Sequence, residues 1–278
     1  MKIIHHNVIE PESKPPVVGE WVKEWHGLYR PRECFIEHKK DYERWFEVDC
    51  LLSILQDVKK STVTMIEIGA GWGEWCLATA GVIRHNLIPT KFKDYFCIGI
   101  EAEPTHYKWM QDSFTSQNIN GMALHGLLSD TNKPQRFNIG SPSSWYGQSA
   151  VFAGMNPLSW LYRLTKPSIT VPSFTMDDVI YKYLIRYANL SDSSIIVNMD
   201  IQGMEEKVIR SSLKLIEHSS IDYFIIGTHS KRANIQILKM LEPYYVSVID
   251  LLPRSKTYFD GSIIECFDGL QIFVRKGL

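Results

Sequence analysis

The stretch from Met65 to Trp75, MIEIGAGWGEW, constrains the fold of this chain more than any other. An apolar run ends in an acidic residue, three glycines follow at every second position, and a helix-forming segment comes next. This order predicts a buried strand that turns sharply into a helix, as the first strand of an α/β sheet does where it holds a nucleoside-type ligand. We therefore expect a cofactor site at the turn formed by Gly69, Gly71 and Gly73.

The spacing of the glycines separates two classes of cofactor. Dinucleotide folds use G-x-G-x-x-G and seat the pyrophosphate on the helix N-terminus. Here the spacing is G-x-G-x-G, and Glu74 occupies the place of the last glycine. Carboxylates at a helix N-terminus would repel a pyrophosphate, whereas they suit S-adenosylmethionine (SAM), which carries an ammonium and a sulfonium and no phosphate. The residues of this turn that we expect to bind SAM are Glu67, Gly69, Ala70, Gly71, Gly73 and Glu74.

Composition narrows the class of protein. The chain has 278 residues, of which 45% are hydrophobic, so it can bury a sizeable core in one large domain with additions. A net charge of -1 offers no electrostatic footprint for nucleic acid. The five cysteines include no C-x-x-C pair, and we expect Cys76 and Cys97 to be buried thiols in a reducing compartment. With no apolar run of signal or membrane-span length, the sequence predicts a soluble cytoplasmic protein.

Alternating apolar segments and helical patterns predict an α/β fold. We expect a Rossmann-like seven-stranded sheet with helices on both faces, over residues 61–278, and an N-terminal helical extension or lid over residues 1–60. Residues 253–266 are typical of a hairpin connection, which makes the last strand antiparallel. The segment around 131–175 breaks the strand–helix rhythm and predicts an irregular insertion on the substrate side.

Polar residues follow the second and third predicted strands. Glu101 and Ala102 end the second strand, where an acid can bind both ribose hydroxyls of an adenosine. Ser129 and Asp130 follow the third strand, and Asp130 is placed to accept a hydrogen bond from the adenine amine. These four residues complete the predicted cofactor site together with Asp200, which ends a near-continuous apolar strand.

Six motifs between residues 63 and 230 carry a resemblance to a known family. MIEIGAGWGEW, IGIEAEP, ALHGLLSD, VPSFTMDDVI, NMDIQGMEEKVI and IIGTHS occur in the order found in the FkbM family of SAM-dependent O-methyltransferases. Gln202 departs from the glutamate that the family commonly has there. The resemblance implies methyl transfer to a hydroxyl of a small molecule, such as a glycan or a polyketide-type natural product, with no nucleic acid or membrane partner.

The insertion and the fourth strand end supply candidates for acceptor binding. Aromatic and amide side chains suit stacking on, and hydrogen bonding to, a sugar or similar polyol. We therefore expect Tyr146, Gln148 and Gln202 to contact the acceptor. A purely structural excursion is the open alternative for the insertion.

An alcohol is a poor nucleophile until its proton leaves, so a general base helps the transfer. His229 follows the fifth strand, and its unperturbed pKa near 6.5 suits that role. We expect His229 to be the base, and Asp200 to hold the methionine ammonium or to orient the acceptor. A divalent metal bound by Asp200, Glu205 and His229 is an alternative that the spacing does not fix, and we assign no metal from the sequence.

Two rival functions stay open at this stage. One is an NAD-dependent oxidoreductase, which the glycine spacing and Glu74 disfavour. The other is a SAM-fold binding protein without catalysis, which the intact glycine turn and Glu101 disfavour. Neither the identity of the methyl acceptor nor the oligomeric state follows from the sequence.

Overall fold

The computed structural model describes residues 1–3, 17–18, 21–31, 42–88, 92, 94–140, 149–150, 166–187, 192–218, 221–259 and 262–278. The central sheet has seven strands, β1 Thr62–Ile68, β2 Asp94–Glu101, β3 Gly121–His125, β4 Ser193–Met199, β5 Ile221–Thr228, β6 Tyr245–Leu251 and β7 Gly269–Arg275. The α-helices that pack on it are α1 Tyr42–Asp57, α2 Glu74–Arg84, α3 Pro104–Ser116, α4 Glu205–Ser211, α5 Leu213–His218 and α6 Lys231–Leu241.

The strands lie side by side in the order β6-β7-β5-β4-β1-β2-β3. β7 is antiparallel to both of its neighbours, and the other neighbouring strands pair in parallel. Ile68 of β1 pairs with Met199 of β4 and with Ile100 of β2, so these three strands end at one edge. Read from the other edge, the order is 3-2-1-4-5-7-6. This is the dinucleotide-fold order 3-2-1-4-5-6 with one antiparallel strand added between the fifth and the sixth. The predicted Rossmann-like seven-stranded sheet is therefore confirmed.

Helices cover both faces of the sheet, as predicted. Successive residues of β4 point to opposite faces because a strand has a period of two. Ile196 joins the cluster of buried side chains from α1, α2 and α3, whereas Ile195 and Val197 join the cluster from α4, α5 and α6. A π-helical segment, Asp178–Leu184, continues as a helical turn, Ile185–Tyr187, and packs on the second face.

The N-terminal region is only partly helical where the structure describes it. Helix α1 is a layer of the core, and its Leu52, Ile54 and Leu55 are fully buried. Before it, Val17–Val18, Trp21–Lys23 and Tyr29–Pro31 form a small antiparallel sheet. These strands escaped sequence reasoning because each has only two or three residues. The role of this region as a lid stays a prediction.

That small sheet is attached next to the glycine turn. The Arg30 guanidinium lies 5.5 Å from the centre of the Trp72 ring. The Gln117 side chain exchanges two hydrogen bonds with the backbone of Tyr29, at 2.6 and 2.7 Å. The N-terminal region therefore supports the outer side of the turn through α3 and Trp72.

The insertion contains more regular structure than the sequence predicts. Gln135–Asn138, Ser149–Ala150 and Ser168–Val171 form a three-stranded antiparallel sheet at the carboxyl edge of the central sheet. Ser173–Phe174 pairs in parallel with Leu127–Leu128. Gly126, at φ +153°, separates that pair from β3, where the sequence predicts one continuous strand.

Two further predictions concern the remainder of the chain. The hairpin predicted before β7 is present, with strands Ser255–Phe259 and Ser262–Cys266. Cys76 and Cys97 are buried free thiols, as predicted. Within the described residues, no helix combines the length and the apolar character needed to cross a membrane.

Candidate active site

The glycine turn is pressed against the neighbouring strand ends. Gly69, Gly71 and Gly73 have φ angles of +77°, +54° and +87°, which glycine adopts far more readily than other residues. The N–H groups of Gly69 and Ala70 both donate to the carbonyl of Ile100, at 3.0 Å each. A Cβ at Gly69 would lie 1.9 Å from the carbonyl oxygen of Asp200. The turn therefore requires glycine here, both for its backbone angle and for space.

Glu67 lies behind the turn and occupies the N-terminus of α2. Its buried carboxylate accepts hydrogen bonds from the N–H groups of Trp75, at 3.1 Å, and Cys76, at 2.9 Å. Burial raises the pKa of Glu67 from its ordinary value of 4.5 to about 8, although these two hydrogen bonds oppose the rise. Because the carboxyl oxygens of Glu67 already accept hydrogen bonds from these two N–H groups, a pyrophosphate has no access to them.

Glu101 joins the end of β2 to the turn. Its buried carboxylate accepts hydrogen bonds from the N–H groups of Gly71, at 2.7 Å, Ala102, at 2.8 Å, and Glu103, at 2.7 Å. Burial raises its pKa, and the hydrogen bonds and nearby His106 oppose that rise. A carboxylate has about four lone-pair sites, so the three hydrogen bonds leave room for a hydroxyl donor from a ligand.

A cleft of about 760 Å³, including the part open to solvent, lies above these groups. The glycine turn, the end of β2, the small sheet of the insertion and the turn after β4 form its walls. The residues that line it are Gly69, Gly71, Ile100, Glu101, Ala102, His106, Gly126, Leu127, Leu128, Phe137, Ala150, Asp200, Ile201, Gln202 and Met204.

The structure brings only part of the predicted site together. The predicted residues that line the cleft are Gly69, Gly71, Glu101, Ala102, Asp200 and Gln202. Those that are described but lie outside the lining are Glu67, Ala70, Gly73, Glu74, Ser129, Asp130 and His229. Tyr146 and Gln148 lie outside the described residues.

Asp130 has a different set of contacts from the one expected. Its carboxylate accepts a hydrogen bond from Ser129 Oγ, at 2.9 Å, and lies 3.0 Å from Lys207 Nζ. Burial raises the pKa of Asp130, but Lys207 and Ser129 outweigh this and lower it overall. Lys207 belongs to α4, which is distant in the chain, so the sequence offered no signal of this ion pair.

Several lining residues escaped sequence reasoning. His106 is the third residue of α3, directly after the Glu103-Pro104 helix start, and that position near a strand end was a usable signal. Phe137 and Ala150 come from the insertion, where no local pattern marks them. Only the pairing of Phe137 with Ala150 across the small sheet brings both to the cleft.

The ends of β4 and β5 meet in a cluster of three carboxylates and one imidazole. We call Asp200, Glu205, His229 and Asp268 the acid–histidine cluster. His229 Nδ1 lies 3.0 Å from Glu205 Oε1, and its Nε2 lies 3.2 Å from Asp200 Oδ1 and 3.7 Å from Asp268 Oδ2. Asp200 belongs to both the cluster and the cleft, so the two are continuous.

The turn after β4 is shaped around Glu205. This fully buried carboxylate accepts hydrogen bonds from the N–H groups of Ile201, at 3.1 Å, and Gly203, at 3.0 Å. Gln202 has a φ of +55° and Gly203 a φ of +100°. A side chain other than glycine rarely adopts this conformation, and such residues often occur at functional sites. The strained turn directs both N–H groups inward and the Gln202 side chain towards the cleft.

The environment of His229 changes the role expected for it. Burial lowers its pKa, but Asp200 and Glu205 outweigh burial and raise the pKa from 6.5 to about 11. The imidazole is therefore a cation at neutral pH. The expectation that His229 would act as a base at its unperturbed pKa does not fit this environment, because a charged imidazole has no free lone pair.

Asp268 is the member of the cluster that sequence reasoning missed. It stands directly before β7, and an antiparallel strand begins at the edge where parallel strands end. Gly269 lets the two strands approach, since a Cβ there would lie 2.3 Å from Thr228 Oγ1. An acidic residue before a predicted antiparallel strand was therefore a usable signal.

Comparisons with known proteins yield similarities at the level of structure. No protein-family model and no curated protein sequence matches the chain. A precorrin-6y C5,15-methyltransferase from Geobacter metallireducens GS-15 is 13% identical, with 86% of this chain and 93% of that chain covered and a TM-score of 0.41. The human methyltransferase 10 domain containing protein is 11% identical, with 89% of each chain covered and a TM-score of 0.44.

A third similar structure is M. capricolum TrmK in complex with S-adenosyl-homocysteine. It is 9% identical, with 83% of this chain and 68% of that chain covered and a TM-score of 0.34. TM-scores below 0.5 at these identities are too low to assign a fold or an activity. The strand order of the central sheet identifies the fold, and the residues of the cleft are what point to a function.

Proposed function

We propose that this protein is a SAM-dependent O-methyltransferase that acts on a hydroxyl of a small molecule of the sugar or glycosylated natural-product class. One observation carries the proposal. The glycine turn, Glu101 and Asp200 line a single cleft, and Asp200 also contacts His229 in the acid–histidine cluster. In this proposal the glycine turn and Glu101 bind the nucleoside, and Asp200 supplies the acid–base group in the same cleft.

The cofactor assignment rests on what the turn can and cannot hold. Glu67 fills the N-terminus of α2, which disfavours a dinucleotide pyrophosphate. Glu101 lines the cleft with room for a hydroxyl donor, as an adenosine ribose requires. SAM combines an adenosine with positive charge and has no phosphate, so it suits both features.

The transfer is an in-line displacement. The acceptor oxygen forms a bond to the methyl carbon, the carbon–sulfur bond breaks with its electron pair moving to sulfur, and the hydroxyl proton moves to the Asp200 carboxylate. Orientation of the two reactants supplies most of the rate, and a base contributes about 10²–10⁴-fold. His229, already protonated, holds Asp200 in place by charge.

Two features support a small-molecule acceptor. Phe137 and Ala150 add apolar surface to a cleft that Gln202 makes polar at one end, which is a combination typical of ligand pockets. The net charge of -1 offers no attraction to a phosphate backbone. The resemblance to the FkbM family implies a sugar or polyketide-type acceptor. Tyr146 and Gln148 stay predicted acceptor contacts, because aromatic and amide side chains suit a sugar or similar polyol.

Calorimetric titration of the full chain with SAM and with NAD tests the cofactor. We expect SAM to bind and NAD not to bind, and NAD binding without SAM binding would overturn the proposal. Transfer of labelled methyl groups from SAM to a panel of glycans, glycosylated natural products and RNA then tests the acceptor. Labelling of RNA but not of the small molecules would contradict the acceptor class, and SAM binding without labelling of any acceptor would favour the non-catalytic alternative.

A further inference from the structure

We propose that Asp200, His229 and Asp268 bind a divalent cation of the Mn²⁺ type at the acceptor side of the cleft. Three observations carry this inference: an imidazole nitrogen without a hydrogen bond, a carboxylate that orients the same imidazole, and an excess of negative charge. Only the role of the cation towards the acceptor rests on the proposed function. The binding of the cation itself does not.

The first observation concerns His229 Nε2. This atom is buried and makes no hydrogen bond within the described part of the chain. It lies 3.2 Å from Asp200 Oδ1, which is off the direction of the ring N–H, and 3.7 Å from Asp268 Oδ2, which is too distant for a hydrogen bond. A buried nitrogen that approaches two carboxylates without bonding to either is suited to share a cation with them.

The second observation concerns the other ring nitrogen. His229 Nδ1 lies 3.0 Å from Oε1 of Glu205, which is itself held by the N–H groups of Ile201 and Gly203. Histidines that bind metals usually donate their other ring N–H to a carboxylate or carbonyl, which fixes the tautomer and the orientation of the ring. Glu205 thus holds His229 with Nε2 on the side of Asp200 and Asp268.

The third observation is the charge of the cluster. Three carboxylates surround one imidazole, and no lysine or arginine among the described residues lies within 4.0 Å of Asp200, Glu205 or Asp268. Arg254 acts on Asp268 only at longer range.

Other aspartates of the chain show the contrast. Asp130 pairs with Lys207 and Asp222 with Lys60, at 3.0 Å each. A cation in the cluster would supply the charge that lysine supplies at those positions.

The spacing and the donor types suit such an ion. With metal–ligand bonds of about 2.1 Å, neighbouring ligand atoms lie about 3.0 Å apart in octahedral and about 3.4 Å apart in tetrahedral geometry. His229 Nε2 lies 3.2 Å from Asp200 Oδ1 and 3.7 Å from Asp268 Oδ2, and the Asp200 and Asp268 side chains, which are 50% and 29% exposed, can shift towards a shared ion. One imidazole with two carboxylates favours Mn²⁺, Fe²⁺ or Zn²⁺ over Ca²⁺.

A cation at this position would narrow the chemical class of the acceptor. It would take the place of the proton on His229 Nε2 and bind Asp200 through Oδ1, so that Oδ2 can still accept the hydroxyl proton. Asp200 is 50% exposed and faces the cleft, which leaves coordination positions for oxygen ligands from the acceptor. A vicinal diol can fill two of these, so we infer an acceptor with adjacent hydroxyls.

Electron paramagnetic resonance of free Mn²⁺, titrated with the chelator-treated full chain, tests the site. We expect one Mn²⁺ per chain and at least a tenfold loss of affinity in both Asp268→Asn and His229→Gln. Glu265→Gln is the matched control, because Glu265 is an exposed acid on the adjacent hairpin and pairs with Lys256. Its Mn²⁺ affinity should stay within about twofold of wild type.

Three results would overturn the inference. They are no stoichiometric Mn²⁺ binding, wild-type affinity in both variants, or displacement of Mn²⁺ by saturating SAM, which would make the cluster the seat of the cofactor ammonium. Calorimetry of SAM binding to the metal-free chain separates the two proposals. SAM binding without Mn²⁺ binding would contradict the cation site but not the proposed methyltransferase. Mn²⁺ binding without SAM binding would contradict the proposed methyltransferase but not the cation site.

Discussion

The glycine turn and Asp200 of the acid–histidine cluster line one cleft, but the carboxyl groups of the two regions differ in what holds them. At the turn, the carboxylates of Glu67 and Glu101 are satisfied by backbone N–H groups of residues at most 30 positions away. In the cluster, backbone N–H groups hold only Glu205, whereas Asp200 and Asp268 face each other's charge and one imidazole from a third segment. The comparison indicates two roles for the carboxyl groups. Those bonded to backbone N–H groups fix the shape of the turn, whereas Asp200 and Asp268 keep oxygens that can bind a proton or a cation.

Gly69 and Asp200 connect the two regions. The Asp200 N–H donates to the carbonyl of Ile68 at 2.9 Å, and its own carbonyl lies where a Cβ of residue 69 would be. The position of the acidic side chain therefore depends on the absence of a side chain in the turn.

We expect the largest effect from Gly69→Ala, which breaks that connection. Its Cβ would lie 1.9 Å from Asp200 O at a φ of +77°, so we expect a loss of more than about 3 kcal/mol in the free energy of unfolding, and loss of SAM binding. Urea unfolding measures the first and calorimetry the second. Gly277→Ala is the matched control, since Gly277 has a φ of +81° with nothing within 4 Å, and it should lose only about 1 kcal/mol. Equal losses in the two variants would show that the contact with Asp200 is unimportant.

Asp200→Asn should separate chemistry from cofactor binding. An amide cannot accept the hydroxyl proton, so we expect kcat to fall about 10²–10⁴-fold while SAM affinity stays within a few fold. Single-turnover transfer from labelled SAM to the identified acceptor measures the rate. His229→Ala should lower the rate in the same direction, because it removes the charge that holds Asp200. A near wild-type rate in Asp200→Asn would mean that another group takes the proton.

Glu101→Ala should weaken SAM binding about tenfold or more. The carboxylate lines the cleft, and a hydrogen bond to a charged group contributes about 1.5–3 kcal/mol. Asp130→Ala is the control, since Asp130 pairs with Lys207 and lies outside the cleft lining, and its SAM affinity should stay within about twofold. The opposite pattern, with Asp130 essential and Glu101 dispensable, would place the adenosine at the third strand instead of the second.

The smallest effect that we expect is a difference in pH dependence at Glu67. Its pKa is about 8 in the folded protein and 4.5 ordinarily, so the folded state holds the proton more tightly. This contribution to stability is fully present below about pH 4.5 and is lost as the pH rises through about 8. Glu67→Gln should be less stable at pH 5, because an amide oxygen replaces only one of two acceptors, but its Tm should fall less between pH 5 and 8. A parallel fall in both proteins would assign the pH dependence to other groups, His229 among them.

Much of the fold follows from local patterns. The apolar run of β4 and the alternation of glycines after β1 are properties of neighbouring residues, and the structure has a buried strand and a helix on the two sides of the glycine turn, as they predict. The small sheet of the insertion did not follow, because Phe137 pairs with Ile169 across an interval that contains no regular pattern. Gly126 likewise divides β3 through its contact with Glu101, which no local pattern shows.

The sequence by itself determined the glycine turn, the acid after β2 and the acid after β4, because strand ends and turns depend on residues adjacent in the chain. Tertiary structure alone decided that Asp268 lies beside His229, that Asp130 pairs with Lys207 outside the lining of the cleft, and that Asp200 and Glu205 raise the pKa of His229. The reason is that charge acts through space. The pKa of an imidazole depends on which carboxylates lie a few ångströms away, and those carboxylates come from segments that only the folded sheet brings together.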